Sequence, residues 1–474
     1  MTVKTIFPVT RVHEPLRVDV DVQGGKVVDA WVSSTLFRGF EAMMYGRDPR
    51  DAALFTQRIC GICSSAHAIA GTLAQQEAFG VAAPSNGQLL TNLIFAADMI
   101  QNHLRHFYLL AFYDYVMGPD RPPFVPRQKG DYRLPKKVND TLLAHGDTGI
   151  DMAMRAHEMM AVFGAKAPHQ QTILPTGVTE MASTDRIMAY SGILKEITAW
   201  VEQTMLEDTM TIADHYRDYY DIGSGYGNLM SYGIFPAPVT GVRDFAPGLI
   251  INRGAVEALD VAQIAEDIRF SWYRQNGDSR PPVQGTTVPD REKEGAYSWV
   301  KAPRYHGQAV EGGPLARGWI NGDYRRGISV MDRIVARTRE TAKLCRLAAE
   351  WLEQLLPGAP TFTPYTPKTQ GEGVGLTDAM RGALGHWLSV REGKVVHYQI
   401  VPPSTWNFSP RDGGGKRGPV EEALLGTPVA DADSLIEVGR VVRSFDPCFS
   451  CAVHALTLPG AGNGRAAFPE SRSV

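Results

Sequence analysis

The chain has 474 residues, 44% of them hydrophobic and 21% charged, with a formal net charge of -3. It can bury a sizeable core, and its near-neutral charge balance gives no reason to expect a nucleic-acid partner. No segment is continuously apolar over a membrane span, and MTVKTIFPVTRVHE lacks the basic region followed by a long apolar run of a secretory signal.

In chain order, LRVDVDV and KVVDAWV flank Gly24-Gly25 and predict a hairpin near the start. Residues 87–116 and 330–355 carry apolar side chains at helical spacing; in the second stretch these include Ile334, Leu344, Ala348, Trp351 and Leu355. A second hairpin is expected where HWLSV and KVVHYQIV flank Glu392-Gly393. The fold class is therefore mainly α within α+β, a large helical bundle core with small peripheral sheets. Length alone allows two or three domains, yet no linker, repeat or low-complexity boundary is visible. After His454 the residues 455–474 are small, rich in Gly and Pro and poor in apolar periodicity, the composition of a disordered tail.

Four of the five cysteines form two Cys-x-x-Cys pairs, Cys60 and Cys63 in RICGIC and Cys448 and Cys451 in DPCFSCAVH. Thiolates are soft ligands, and each spacing lets two sulfurs converge on one centre, so a single four-thiolate metal site closed by the fold is the economical reading. It joins both ends of the chain and favours one interlocked unit over residues 1–454. A structural zinc is the alternative, since tetrahedral zinc accepts four thiolates. Zinc ribbons place the second pair about 15 to 20 residues after the first, whereas here almost the whole chain intervenes, as in a reaction centre. The fifth cysteine, Cys345, falls in an apolar helical stretch and reads as a packed thiol. Neither DGGGKRG nor GSGYG has the spacing of a phosphate loop or a dinucleotide fingerprint.

The surroundings of the cysteines are more specific. RGFE (38–41), Arg58 and His67 accompany the first pair; Asp446, Pro447 and His454 accompany the second. PVTRVHEPLRVDV, GAKAPHQQTILPTGV, YSWVKAPRYHG, GGPLARG, RGALGHW, PPSTWNFSPRD and EEALLGTP follow in order between and around them. Together these segments resemble the large subunit of nickel-iron hydrogenases over nearly the whole chain to His454.

The resemblance implies reversible heterolytic cleavage of dihydrogen to protons and electrons. Nickel would be bound by Cys60, Cys63, Cys448 and Cys451, with Cys63 and Cys451 bridging to an iron that carries cyanide and carbon monoxide. Arg381 would sit over the open side of the metals, and Ser404 would donate a hydrogen bond to a cyanide. Arg58, His67, Asp446 and Asn102 would surround the ligands, because so much thiolate charge calls for cationic and hydrogen-bonding neighbours. A magnesium ion would take Glu41, the carbonyl of Ile400 and His454, in keeping with its preference for oxygen ligands and retained waters. Residues 455–474 would be an extension removed by a maturation endopeptidase after nickel chaperones have delivered the metal.

Three positions depart from the family pattern. His13 stands where the family usually has glutamate and Glu14 follows it, so both are proton-relay candidates. Met380 replaces a proline before Arg381, and Asn102 replaces a common aspartate. With four cysteines assigned, Cys345 alone cannot hold an iron-sulfur cluster, so electrons must leave through a partner. The resemblance supplies one: an iron-sulfur small subunit in an obligate heterodimer, within which the chain would be membrane-associated or exported on its partner's signal, a cytoplasmic location being the alternative. A hydrogen sensor with the same centre, and a relative of the quinone-reducing respiratory core, are the other readings.

Overall fold

The computed structural model describes residues 3–122, 124–125, 130–274 and 279–452; His454 and the expected extension at 455–474 lie outside the described residues. Helix (42%) outweighs strand (19%), giving a mixed α+β fold. The Ser85–Arg105, Lys136–Gly164, Thr184–Trp200 and Val330–Gln354 helices pack on one another. Their apolar stripes supply the bundle, and Ser329 starts the last of them by accepting the Asp332 N–H at 3.1 Å. The helix expected over 87–116 is α-helical only to Arg105; a π-turn, His106–Ala111, and a 3-10 turn, Phe112–Asp114, complete it. No described helix is long and apolar enough to cross a membrane.

Both expected hairpins form. Leu16–Gln23 pairs antiparallel with Lys26–Ser34, and Gly382–Arg391 with Lys394–Val401. The second sheet, however, is not peripheral. A third strand, Gly371–Ala379, joins it, and the Ser64–Phe79 helix lies directly along that strand. Gly373 and Gly375 make this approach possible: a Cβ at either would stand 2.0 or 1.9 Å from the carbonyl oxygens of Ala74 or Ala70. Helix backbone therefore rests on strand backbone, and the strand 382–391 is buried along most of its length. One hydrophobic cluster runs from Val9 to Cys451 and contains all four paired cysteines.

Candidate metal centre

Each cysteine pair sits where an irregular segment turns into a helix. Cys60 follows the short turn Gln57–Ile59, and Cys63 immediately precedes the Ser64–Phe79 helix. Cys451 lies in the short helix Phe449–Ala452, with Cys448 just before it. A parallel bridge between His13 and Cys448 lays the N-terminal segment against the C-terminal one: the His13 N–H donates to the Pro447 carbonyl at 3.3 Å, and the Phe449 N–H to the His13 carbonyl at 3.0 Å.

The four sulfurs are buried and lie within 4.8 Å of one another. Cys60 to Cys448 is 3.3 Å, Cys63 to Cys451 2.9 Å and Cys448 to Cys451 3.2 Å. Burial pushes the Cys63 and Cys451 thiols up, while Cys60, despite burial, is held low by its neighbours' donated hydrogen bonds. The Ile62 N–H adds a donor to Cys60 at 3.3 Å. Such a cluster would release its protons to solvent as a metal ion binds, and its all-sulfur donor set fits a soft transition metal.

Arg381 stands at the turn between the strands Gly371–Ala379 and Gly382–Arg391, buried beside the sulfurs. Its Nε donates to the Asp446 carbonyl at 2.8 Å and one Nη to the Asp446 carboxylate at 3.0 Å. Both Nη atoms also reach the Asn102 side-chain oxygen at 3.4 Å. Burial opposes the charge on Arg381, but Asp446 and the thiolates outweigh it and hold the group protonated. Asp446 is likewise kept below the usual carboxylate range, burial being overcome by Arg381. Its backbone is left-handed, with φ of 56°, immediately before Pro447.

Ser404 lies against the second pair, its hydroxyl accepting the Cys448 N–H at 3.1 Å, an arrangement that leaves the hydroxyl proton for another acceptor. His67, one turn after Cys63, contacts the His386 ring nitrogen at 3.2 Å, and His386 in turn contacts the Tyr398 hydroxyl at 2.8 Å. Glu41 is buried and accepts hydrogen bonds from the Thr287 hydroxyl and, at 3.1 Å, from the Ile400 N–H. Met380, in the proline position, is buried, and its carbonyl accepts a bond from Arg317 at 3.1 Å.

Arg58 departs from expectation. The turn Gln57–Ile59 buries Gln57 and Ile59, so Arg58 between them points outward and is exposed. Arg38 does the inward work instead: its guanidinium donates to the carbonyl of Ile59 and, at 2.6 Å, to that of Ser450, clamping the two cysteine loops together. The relay candidates also separate. His13 is largely enclosed, its Nε2 buried without a hydrogen-bond partner among the described residues, and burial with Arg381 lowers it to about 4. Glu14 is exposed, at φ of 73°.

Two further residues escaped sequence reasoning. Asp98 accepts from the Asn102 amide at 3.1 Å, and Arg105 donates to the Asn102 oxygen at 2.9 Å. The signal was there in the polar residues 98, 102 and 105, spaced i, i+4, i+7 within an apolar helix.

A family model described as nickel-dependent hydrogenase matches residues 38–118, 123–326 and 320–454. The chain is 39% identical to the periplasmic [NiFeSe] hydrogenase large subunit of Desulfomicrobium baculatum, over 95% of each chain. It is 30% identical to the Hydrogenase-2 large chain of Escherichia coli K12, over 96% of this chain and 98% of that one. The solved Ni-Fe-Se hydrogenase from D. vulgaris Hildenborough superimposes with a TM-score of 0.93 at 39% identity, covering 96% of this chain and all of the matched one. With four thiolates closed from both ends of a backbone shared almost throughout, the chain belongs to the nickel-dependent hydrogenases, as a large subunit.

Proposed function

We propose that the four thiolates hold a nickel-iron pair, nickel on all four sulfurs and iron bridged through Cys63 and Cys451, with cyanide and carbon monoxide on the iron. In this chain sulfur stands at all four ligand positions. The single observation that carries the proposal is the buried group of four Sγ atoms within 4.8 Å beside the guanidinium of Arg381. When bound, the metals supply the Lewis acidity and the electron sink for splitting dihydrogen into protons and electrons.

The chain's own residues do the rest. Asp446 and Asn102 fix Arg381 so that its positive edge polarises dihydrogen, and a cysteine thiolate takes the proton, since Arg381 is already protonated. Enclosed His13 followed by exposed Glu14 is an order that suits a proton travelling outward. Gly61, exposed between the first two cysteines beside exposed Arg58, brings the centre to the surface, and electrons leave there to an iron-sulfur small subunit. A magnesium ion at Glu41, the Ile400 carbonyl and His454 is supported by the crowding of carboxylates: Glu41 and Glu266, both buried, approach the same Lys301 at 3.7 and 3.8 Å, a concentration of acceptor oxygens that suits a hard cation. Burial, with Glu41 nearby, raises Glu266 to about 7. The residues 1–454 act as one catalytic unit, trimmed of residues 455–474 by an endopeptidase after nickel chaperones have loaded it. The word periplasmic in a relative's name supports export on the partner's signal.

The test is metal analysis with infrared spectroscopy on the protein purified with its small subunit, alongside hydrogen-dependent dye reduction. Nickel, iron, cyanide and carbon monoxide bands and turnover are expected. Zinc without those bands, in correctly matured protein, would sink the proposal.

A further inference from the structure

Away from the centre, the Val330–Gln354 helix carries Arg339, Lys343 and Arg346 at spacings of four and three, which place three cations on one face. That face lines a cleft of 330 Å³ closed on its other sides by Leu206, Phe245, Pro314 and Tyr324. Two of the cations are held in place by its walls. The Lys343 ammonium lies 4.2 Å from the centre of the Phe245 ring, and the Arg339 guanidinium 5.4 Å from that of Tyr324.

The charges do not balance. Asp323 pairs with Lys343 at 2.7 Å, but neither Arg339 nor Arg346 has a carboxylate partner among the described residues. Glu340, which also lines the cleft, is already engaged by Arg317 at 2.7 Å and His103 at 2.8 Å. A net charge near +2, two guanidinium forks and apolar walls match a phosphate group attached to an apolar body, and the volume falls within the usual range of about 300 to 1,000 Å³ for small-ligand sites.

We propose that this cleft binds a phosphate-bearing anion, with Arg339 and Arg346 gripping the phosphate and Phe245 and Tyr324 packing on what it is attached to. The phosphate belongs either to a soluble molecule or to a lipid headgroup, and two probes separate these sources.

The experiment uses the intact heterodimer at constant ionic strength. Pyrophosphate binding is measured by calorimetry, and co-sedimentation is measured with phosphatidylglycerol vesicles against phosphatidylcholine ones. The variants are R339Q/R346Q and the charge-preserving R339K/R346K; both residues are exposed, so folding is preserved, as a thermal scan verifies. Saturable pyrophosphate binding that weakens about tenfold or more in R339Q/R346Q, and by a smaller factor in R339K/R346K, which keeps the charge but loses the forks, supports the soluble source. Vesicle binding with the same dependence on the variants, without pyrophosphate binding, assigns a lipid headgroup. Absence of saturable binding to both probes, or binding equal in wild type and R339Q/R346Q, overturns the proposal. Hydrogen-dependent dye reduction is unchanged in either variant, since neither residue touches the centre.

Discussion

Arg381 is useful only because it is fixed. Three of its nitrogens are engaged by the Asp446 carbonyl, the Asp446 carboxylate and the Asn102 oxygen, so its planar fork is aimed without further ordering when a substrate arrives. A lysine there keeps the charge and the Asp446 pair but loses the second and third contacts. Arg381→Lys is therefore expected to lower hydrogen turnover by about 100-fold or more while nickel content and melting temperature stay near wild type. Loss of nickel together with activity would show that Arg381 organises the ligands rather than the chemistry. The same view explains Asn102. Lacking a carboxylate, it accepts from both Arg381 and Arg105 without adding a third buried anion to Asp98 and Asp446.

The element that aims Cys63 is the Ser64–Phe79 helix, and the strand Gly371–Ala379 holds that helix through backbone contact. Adding one methyl at Gly373 would put it 2.0 Å from the Ala74 carbonyl and 2.7 Å from the Ala78 nitrogen, atoms that cannot yield without moving the helix. Gly373→Ala is expected to cost about 1–3 kcal/mol, read as a lower melting temperature, and to reduce nickel uptake because a shift of the helix as a rigid rod carries its far end, at Cys63, with it. Wild-type nickel content at wild-type melting temperature would show that the helix is positioned by something else. This contact also marks the limit of what the sequence discloses. Both hairpins and the long helices follow from period-2 and period-3.6 patterns, and the four cysteines follow from their pairs. The strand 371–379 escapes because GEGVGLTDA has glycine at alternate positions, chosen for approach rather than for packing. Arg58 and Arg38 are indistinguishable in a string of letters; only the fold decides that Arg58 turns outward and Arg38 clamps the cysteine loops.

At the scale of the whole molecule, the centre exists because the two ends of the chain are tied together beneath it. Asp114, buried at the end of the 3-10 turn, receives Arg11 at 2.5 Å, two residues before His13, and Arg443 at 2.6 Å, three residues before Asp446. Burial would raise this carboxyl, but the two arginines lower it to about 2. The tie therefore holds at any pH above the ordinary value of 3.8 and weakens only in stronger acid. Sensitivity to mild acid comes from histidine. His106 donates its Nε2 proton to the Arg443 carbonyl at 2.7 Å, and burial, with help from Arg337, lowers it from 6.5 to about 3. Between those two values the unfolded chain binds a proton that the folded chain refuses, so stability is full above 6.5 and declines as the pH falls. By about pH 5 this one residue accounts for a loss of roughly 2 kcal/mol. His106→Gln keeps a donor for the Arg443 carbonyl and removes the titration. Melting temperatures of the heterodimer measured from about pH 7.5 to about pH 5 are expected to fall less steeply in the variant, the remaining slope coming from other buried histidines such as His13. An identical slope in the two proteins would mean that His106 takes up its proton equally in the folded and unfolded chains, the Arg443 carbonyl cancelling the effect of burial.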